Sequence, residues 1–128
     1  MRRPRVRGRG DRGQVALEFT GMVPLILLTL ALLWQVVLVG YAYTLAANAA
    51  DEAVRACAVG EDGKAAGERH LGGAWEGDAD CGAVSGGMVT AFATVRIPVL
   101  FPGTAGFADA RATAGAVYEV PDGTGERP

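Results

Sequence analysis

Gly13–Val39, GQVALEFTGMVPLILLTLALLWQVVLV, decides how the rest of the chain is disposed. It holds one carboxylate, Glu18, and beyond it no formal charge occurs until Asp51. A helix needs roughly 20 apolar residues to cross the hydrocarbon core of a bilayer. The stretch is long enough, so it reads as a transmembrane helix and sorts the remaining residues onto two sides of a membrane. Glu18 stands at the entrance to the run, with Phe19 directly after it. Position alone leaves two readings. One is a carboxylate at headgroup level, snorkelling to water and stabilising the first helical turn. The other is a functional intramembrane carboxylate.

The flanks carry opposite charge. Residues 1–13 contain arginines 2, 3, 5, 7, 9 and 12 against Asp11 alone, whereas the segment from Asp51 onward is acidic. Arginines beside a span stay cytoplasmic by the positive-inside rule. The expected topology is therefore a cytoplasmic N-terminus and an extracytoplasmic C-terminal domain. An Arg-rich arm also suits nucleic acid. Here membrane orientation accounts for the charges, no aromatic residue is interleaved with them, and no nucleic-acid partner is expected.

Within the run, Pro24 removes one helical hydrogen bond and is expected to kink the helix, which membrane helices tolerate. Gly21 and Gly40 offer small surfaces where another helix could approach. Trp34 lies deep in the run, and Tyr41 and Tyr43 near its outer end suit an interfacial belt. The helical pattern continues through the Ala-rich segment YTLAANAADEAVRACA, residues 43–58, with Leu45, Ala49, Ala53 and Ala56–Cys57 at helical spacing. Asp51 and Arg55 form an expected i,i+4 pair, and Gly60 a C-terminal stop. A single helix from 16 to 58 would be about 65 Å long.

Beyond it, residues 61–87 are acidic and Gly-rich, reading as a loop with a short helix at best over 64–71. Residues 88–100, MVTAFATVRIPVL, alternate as a strand, with Val89, Ala91, Ala93, Val95, Ile97 and Val99 on one face. Pro98 suggests that the strand ends at a sheet edge. A turn cluster follows at 101–106. A second strand over 110–120 places Ala112, Ala114, Ala116, Tyr118 and Val120 together. The fold class is α+β: a long N-terminal transmembrane helix extending outward, with a small antiparallel hairpin or sheet packed on its outer part. The expected division is a leader at 1–13, a span at 14–43, a helix extension at 44–60, a Gly-rich acidic loop region at 61–87, a hairpin at 88–120 and a disordered tail at 121–128.

Cys57 and Cys81 both fall on the outer side, where oxidation is permitted. They are too far apart in sequence for closely spaced zinc ligands. A disulfide closing that loop would contribute about 3 kcal/mol; two free thiols are the alternative. His70 is the chain's one histidine and reads as a surface residue. Trp75 either packs on the sheet or is exposed. No metal or cofactor site is expected. With no serine or cysteine nucleophile beside a histidine base and no P-loop, since GAVSGG at 82–87 lacks the lysine and helix start, no enzymatic activity is expected.

The N-terminal pattern resembles a known family. A basic leader ends in Gly13, Glu18-Phe19 follow at the fifth and sixth positions after it, and Pro24 lies six beyond Glu18. This resembles the TadE-like minor pseudopilins of the tight-adherence (Tad/Flp) branch of type IV pilus systems. Arg55 in the Ala-rich continuation, Ile97-Pro98, the Pro102-Gly103 turn and a closing strand reaching Glu119 look like that family too. Phe19 stands where major Flp pilins of the branch usually carry Tyr, which favours the pseudopilin. The resemblance implies cleavage between Gly13 and Gln14 by a membrane prepilin peptidase, and packing with other pilin or pseudopilin subunits through the apolar helix. Glu18, left in an apolar helical core when subunits stack, would need a positive partner. The freed α-amine of a neighbouring Gln14 would supply it. Membrane lipid is the partner before assembly. Two rivals remain: a secreted domain cleaved after Ala49, where Ala47-Asn48-Ala49 has signal-peptidase spacing, and an uncleaved single-span binding or regulatory protein.

Overall fold

The computed structural model describes residues 11–100 and 109–119. The leader up to position 10, the turn cluster at 101–106, Val120 and the tail lie outside the described residues. The chain forms two units, residues 1–34 and 35–128.

The first unit is the apolar part of helix α1, Asp11–Ala58. Pro24 lies inside the helix without ending it. The helix is rich in Leu, and the hydroxyls within it turn back on their own backbone. Thr20 Oγ1 donates to the Ala16 carbonyl at 2.8 Å and Thr29 Oγ1 to the Leu25 carbonyl at 2.9 Å. Such internal satisfaction lets a polar side chain sit in an apolar setting at little cost. The side chains from Val15 to Trp34 are almost all exposed.

The second unit is built on the rest of α1. Ala42, Ala46, Ala49, Ala50 and Ala53 are buried at helical spacing, and Val54 and Ala58 join them. Against this stripe lies a three-stranded antiparallel sheet in the order β1-β2-β3. Its strands are β1 Gly77–Cys81, β2 Met88–Arg96 and β3 Asp109–Val117. The inner face consists of Ala79 from β1, Val89, Ala91, Ala93 and Val95 from β2, and Ala110 from β3. The alternation read in the sequence therefore holds for β2 and β3 alike.

The sheet corrects two expectations. A third strand, β1, was hidden in the acidic Gly-rich segment, because GDADC has one inward residue of note, Ala79, and no β-branched side chain. Its presence makes β2 central, paired on both sides. Pro98 consequently marks no sheet edge; it lies past Arg96, the last paired residue of β2. A proline in the paired part would remove a ladder bond, so the strand stops short of it.

Helix α1 ends as Gly60 suggested. Gly60 has φ 80°, its N–H donates to the Cys57 carbonyl at 3.1 Å, and the Glu61 N–H reaches back to Ala56 at 2.9 Å. This is a Schellman motif, which satisfies the last carbonyls of a helix. The Glu119 N–H takes the Ala58 carbonyl at 2.8 Å, tying the chain after β3 to the same helix end. The short helix α2, Gly63–Gly67, follows, with Asp62 Oδ1 accepting from the Ala65 N–H at 3.0 Å as its N-cap. It is shorter than the 64–71 segment expected, because the chain turns away after Glu68.

Helix α2 is wedged between α1 and β1, and two glycines make that possible. A Cβ on Gly67 would stand 2.6 Å from Ala79 Cβ and 2.8 Å from the Ala49 carbonyl oxygen. A Cβ on Gly63 would strike both cystine sulfurs. Gly67→Ala is expected to destabilise the domain by about 1–3 kcal/mol through overpacking. Gly40→Ala, where a Cβ meets nothing within 4 Å, is expected to be neutral or stabilising by up to about 1 kcal/mol. Denaturant melts of the detergent-solubilised variants check both.

Candidate functional site: the N-terminal helix

The residues singled out in the sequence fall in two places. Gly13, Gln14, Glu18, Phe19 and Pro24 all lie on α1 in the first unit, and all are exposed. Gln14 and Glu18 are one turn apart, so they share a face, and Gly21 follows on that face three residues later. Nothing lies within 4 Å of a Cβ built on Gly13 or Gly21. Among the described residues, Glu18 has no side-chain hydrogen bond or ion pair. The structure thus presents one carboxylate on an otherwise uncharged, exposed helix surface.

Cys57 and Cys81 are brought together as a disulfide, with a Cα–Cα distance of 6.7 Å. It joins the last turn of α1 to the last residue of β1. Of the two cysteine readings left open by the sequence, the cross-link is the one observed. Lys64 reinforces the same corner: its Nζ lies 2.6 Å from Glu68 Oε1 and also bonds Asp78 Oδ1. The Asp78 carboxylate, and next Glu68, push the Lys64 ammonium above its ordinary pKa. Lys64 in turn holds Asp78 below the usual carboxylate range. These groups are solvent-exposed, and exposed pairs contribute little to stability, so the cross-link dominates here.

Other charges sort themselves around the sheet and helix. Arg96 Nη1 bonds Glu76 Oε2 at 2.8 Å across the β1–β2 end. The expected Asp51–Arg55 pair is not formed. Instead Glu52 on the same turn faces His70, with Oε1 3.6 Å from Nε2. His70 is a surface residue as expected. Trp75 is half-buried and meets Tyr41 edge-on, ring centroids 4.9 Å apart at 64°. The contact resolves the Trp75 alternatives in favour of packing.

One residue that sequence reasoning missed, Gln35 at the start of the second unit, ties the chain leaving β2 to α1. Gln35 Nε2 donates to the Pro98 carbonyl at 3.2 Å, and its Oε1 accepts from the Leu100 N–H at 3.1 Å. A side-chain amide presents one donor and one acceptor, and here both engage the backbone that leaves β2. The signal was available: Gln35 is the only carboxamide between Gln14 and Asn48.

Residues 13–55 match the family described as TadE-like protein. That segment is similar to the TadE-like family. The match begins at the residue before the expected cut, takes in Glu18, Phe19 and Pro24, and ends at Arg55 inside the sheet-packing part of α1. No curated protein and no solved structure matches the chain. The TadE-like segment is one continuous helix in the structure. Together with the family it fits a pilus-related, single-pass membrane subunit, since α1 is the one described helix long and apolar enough to cross a membrane.

Gln35→Leu removes both bonds and leaves the Pro98 carbonyl and Leu100 N–H without partners. Each unmet group costs about 1–3 kcal/mol when shielded from water. The Leu100 amide is expected to exchange with deuterium about tenfold faster or more in the variant, tenfold being 1.4 kcal/mol. Amides in the middle of β2 should be unaffected.

Proposed function

We propose that this chain is a minor pseudopilin that helps assemble a Tad/Flp-type pilus or a related secretion apparatus. Its N-terminus faces the cytoplasm and its sheet domain lies outside. A prepilin peptidase removes the leader between Gly13 and Gln14. The mature helix then leaves lipid and packs against other pilin or pseudopilin helices. Its work is structural rather than enzymatic.

The observation that carries this reading is the match that begins at Gly13 and runs unbroken along a helix whose outer half is already committed to a folded domain. The inner half is left with apolar side chains exposed from Val15 to Trp34, a surface suited first to lipid and then to neighbouring helices. The same architecture weighs against a secreted domain cut after Ala49. That cut would remove Ala42, Ala46 and Ala49, all buried against the sheet, and each lost core side chain destabilises so small a domain.

Glu18 is the residue to test. In the assembled helical core, an unpaired charge left by deleting its partner costs about 3–5 kcal/mol. Glu18→Ala, produced in cells that build the pilus, is expected to reach the membrane and lose its leader normally. It should fail to co-purify with the partner subunits and to support piliation. Wild-type piliation by the variant would refute the assembly role. Normal piliation together with an uncleaved leader would favour the single-span regulatory protein.

A further inference from the structure

The Gln35 bonds fix the depth of one part of the outer domain, and from them we infer that Ile97–Leu100 seats the domain in the headgroup layer of the bilayer. The inference rests on the reading that the inner part of α1 spans the membrane. Gly13–Trp34 extends about 33 Å as a helix, close to the roughly 30 Å of a hydrocarbon core. Gln35 is the next residue. Its two bonds hold the backbone of Pro98 and Leu100 at its own level.

That backbone is irregular, and irregular backbone exposed to lipid does not occur within the hydrocarbon region. Residues 98–100 therefore set an outer limit to the span, and the limit is Trp34 rather than Tyr43. Yet the same level is not dressed for water. Ile97, Pro98, Val99 and Leu100 carry no charge, and Leu100 is 46% exposed. Beside them on α1, Val36 and Val37 are 68% and 60% exposed, and Tyr41 is exposed above them. The first charges on the strands are Arg96 and Asp109, which face one another in register. An apolar and aromatic collar between the end of a span and the first charges matches the interfacial zone, where amphipathic rings and partly buried apolar groups reside. Lipid is the occupant because Val36 and Val37 continue the apolar helix directly, and the two Gln35 bonds hold Pro98 and Leu100 beside them.

Trp quenching by brominated phosphatidylcholine tests it on the full chain in bilayers. Three variants are needed. Trp75→Phe leaves Trp34 as the reporter. Trp34→Phe with Trp75→Phe and Leu100→Trp reports on the collar. Trp34→Phe with Trp75→Phe and Leu25→Trp reports on the middle of the span. The Leu100→Trp variant and Trp34 are expected to lose more emission to lipid brominated near the carbonyl than to lipid brominated near the methyl end. The Leu25→Trp variant should show the reverse order. Quenching of the Leu25→Trp variant with none at Leu100→Trp would overturn the lipid seat and leave the span intact. Methyl-end quenching at Trp34 would also overturn it, placing the boundary farther out. No quenching at Leu25→Trp would refute the span itself. Quenching at Leu100→Trp that appears only on dilution of protein into lipid would assign the collar to a second copy and refute the seat.

Discussion

A helix in lipid must satisfy every backbone polar group within itself, because hydrocarbon offers no alternative partner. That constraint organises this chain. From Asp11 to Ala58 the backbone never leaves the helix, and its threonines bond back to their own turns rather than outward. Among the described residues, other backbone first meets the helix at Gln35, which supplies a donor and an acceptor where the chain leaving β2 needs both. Inside that point the helix surface is Leu-rich and open. Outside it the surface is alanine, and a sheet covers it.

The alanines explain how so small an outer domain holds together. Val89 and Val95 are its largest fully buried side chains, so hydrophobic burial per residue is modest, at about 0.8 kcal/mol per buried CH₂. The disulfide offsets this by limiting the unfolded chain, by about 3 kcal/mol for a loop of this size. It also closes a corner where α1, α2 and β1 meet, and Gly63 and Gly67 are the residues small enough to let them meet.

The parts of this architecture legible in the sequence were those with a strong period. The uncharged run, the Ala-rich continuation and the inward residues of β2 and β3 follow directly from spacing, and the Gly60 stop from conformational preference. Strand β1 was not legible, because its outward Asp78 and Asp80 and its single inward alanine imitate an acidic loop; it forms only because β2 offers an edge. The Gln35 contact was not legible for another reason. A lone carboxamide shows where a hydrogen bond is needed but not which distant backbone supplies it. The N-terminal site was read through the pattern Gly13, Glu18, Phe19, Pro24, and the structure adds that these residues stand exposed on one unbroken helix.

The proposed role, in which the apolar helix is first an anchor and then a packing surface, entails a processed end at Gln14. The most direct measurement is the N-terminal sequence and intact mass of the protein purified from membranes of its own cells. The expected result is a chain beginning at Gln14 with the Cys57–Cys81 cross-link in place. A chain beginning at Ala50, or one retaining Met1 in cells with an active prepilin peptidase, would contradict it.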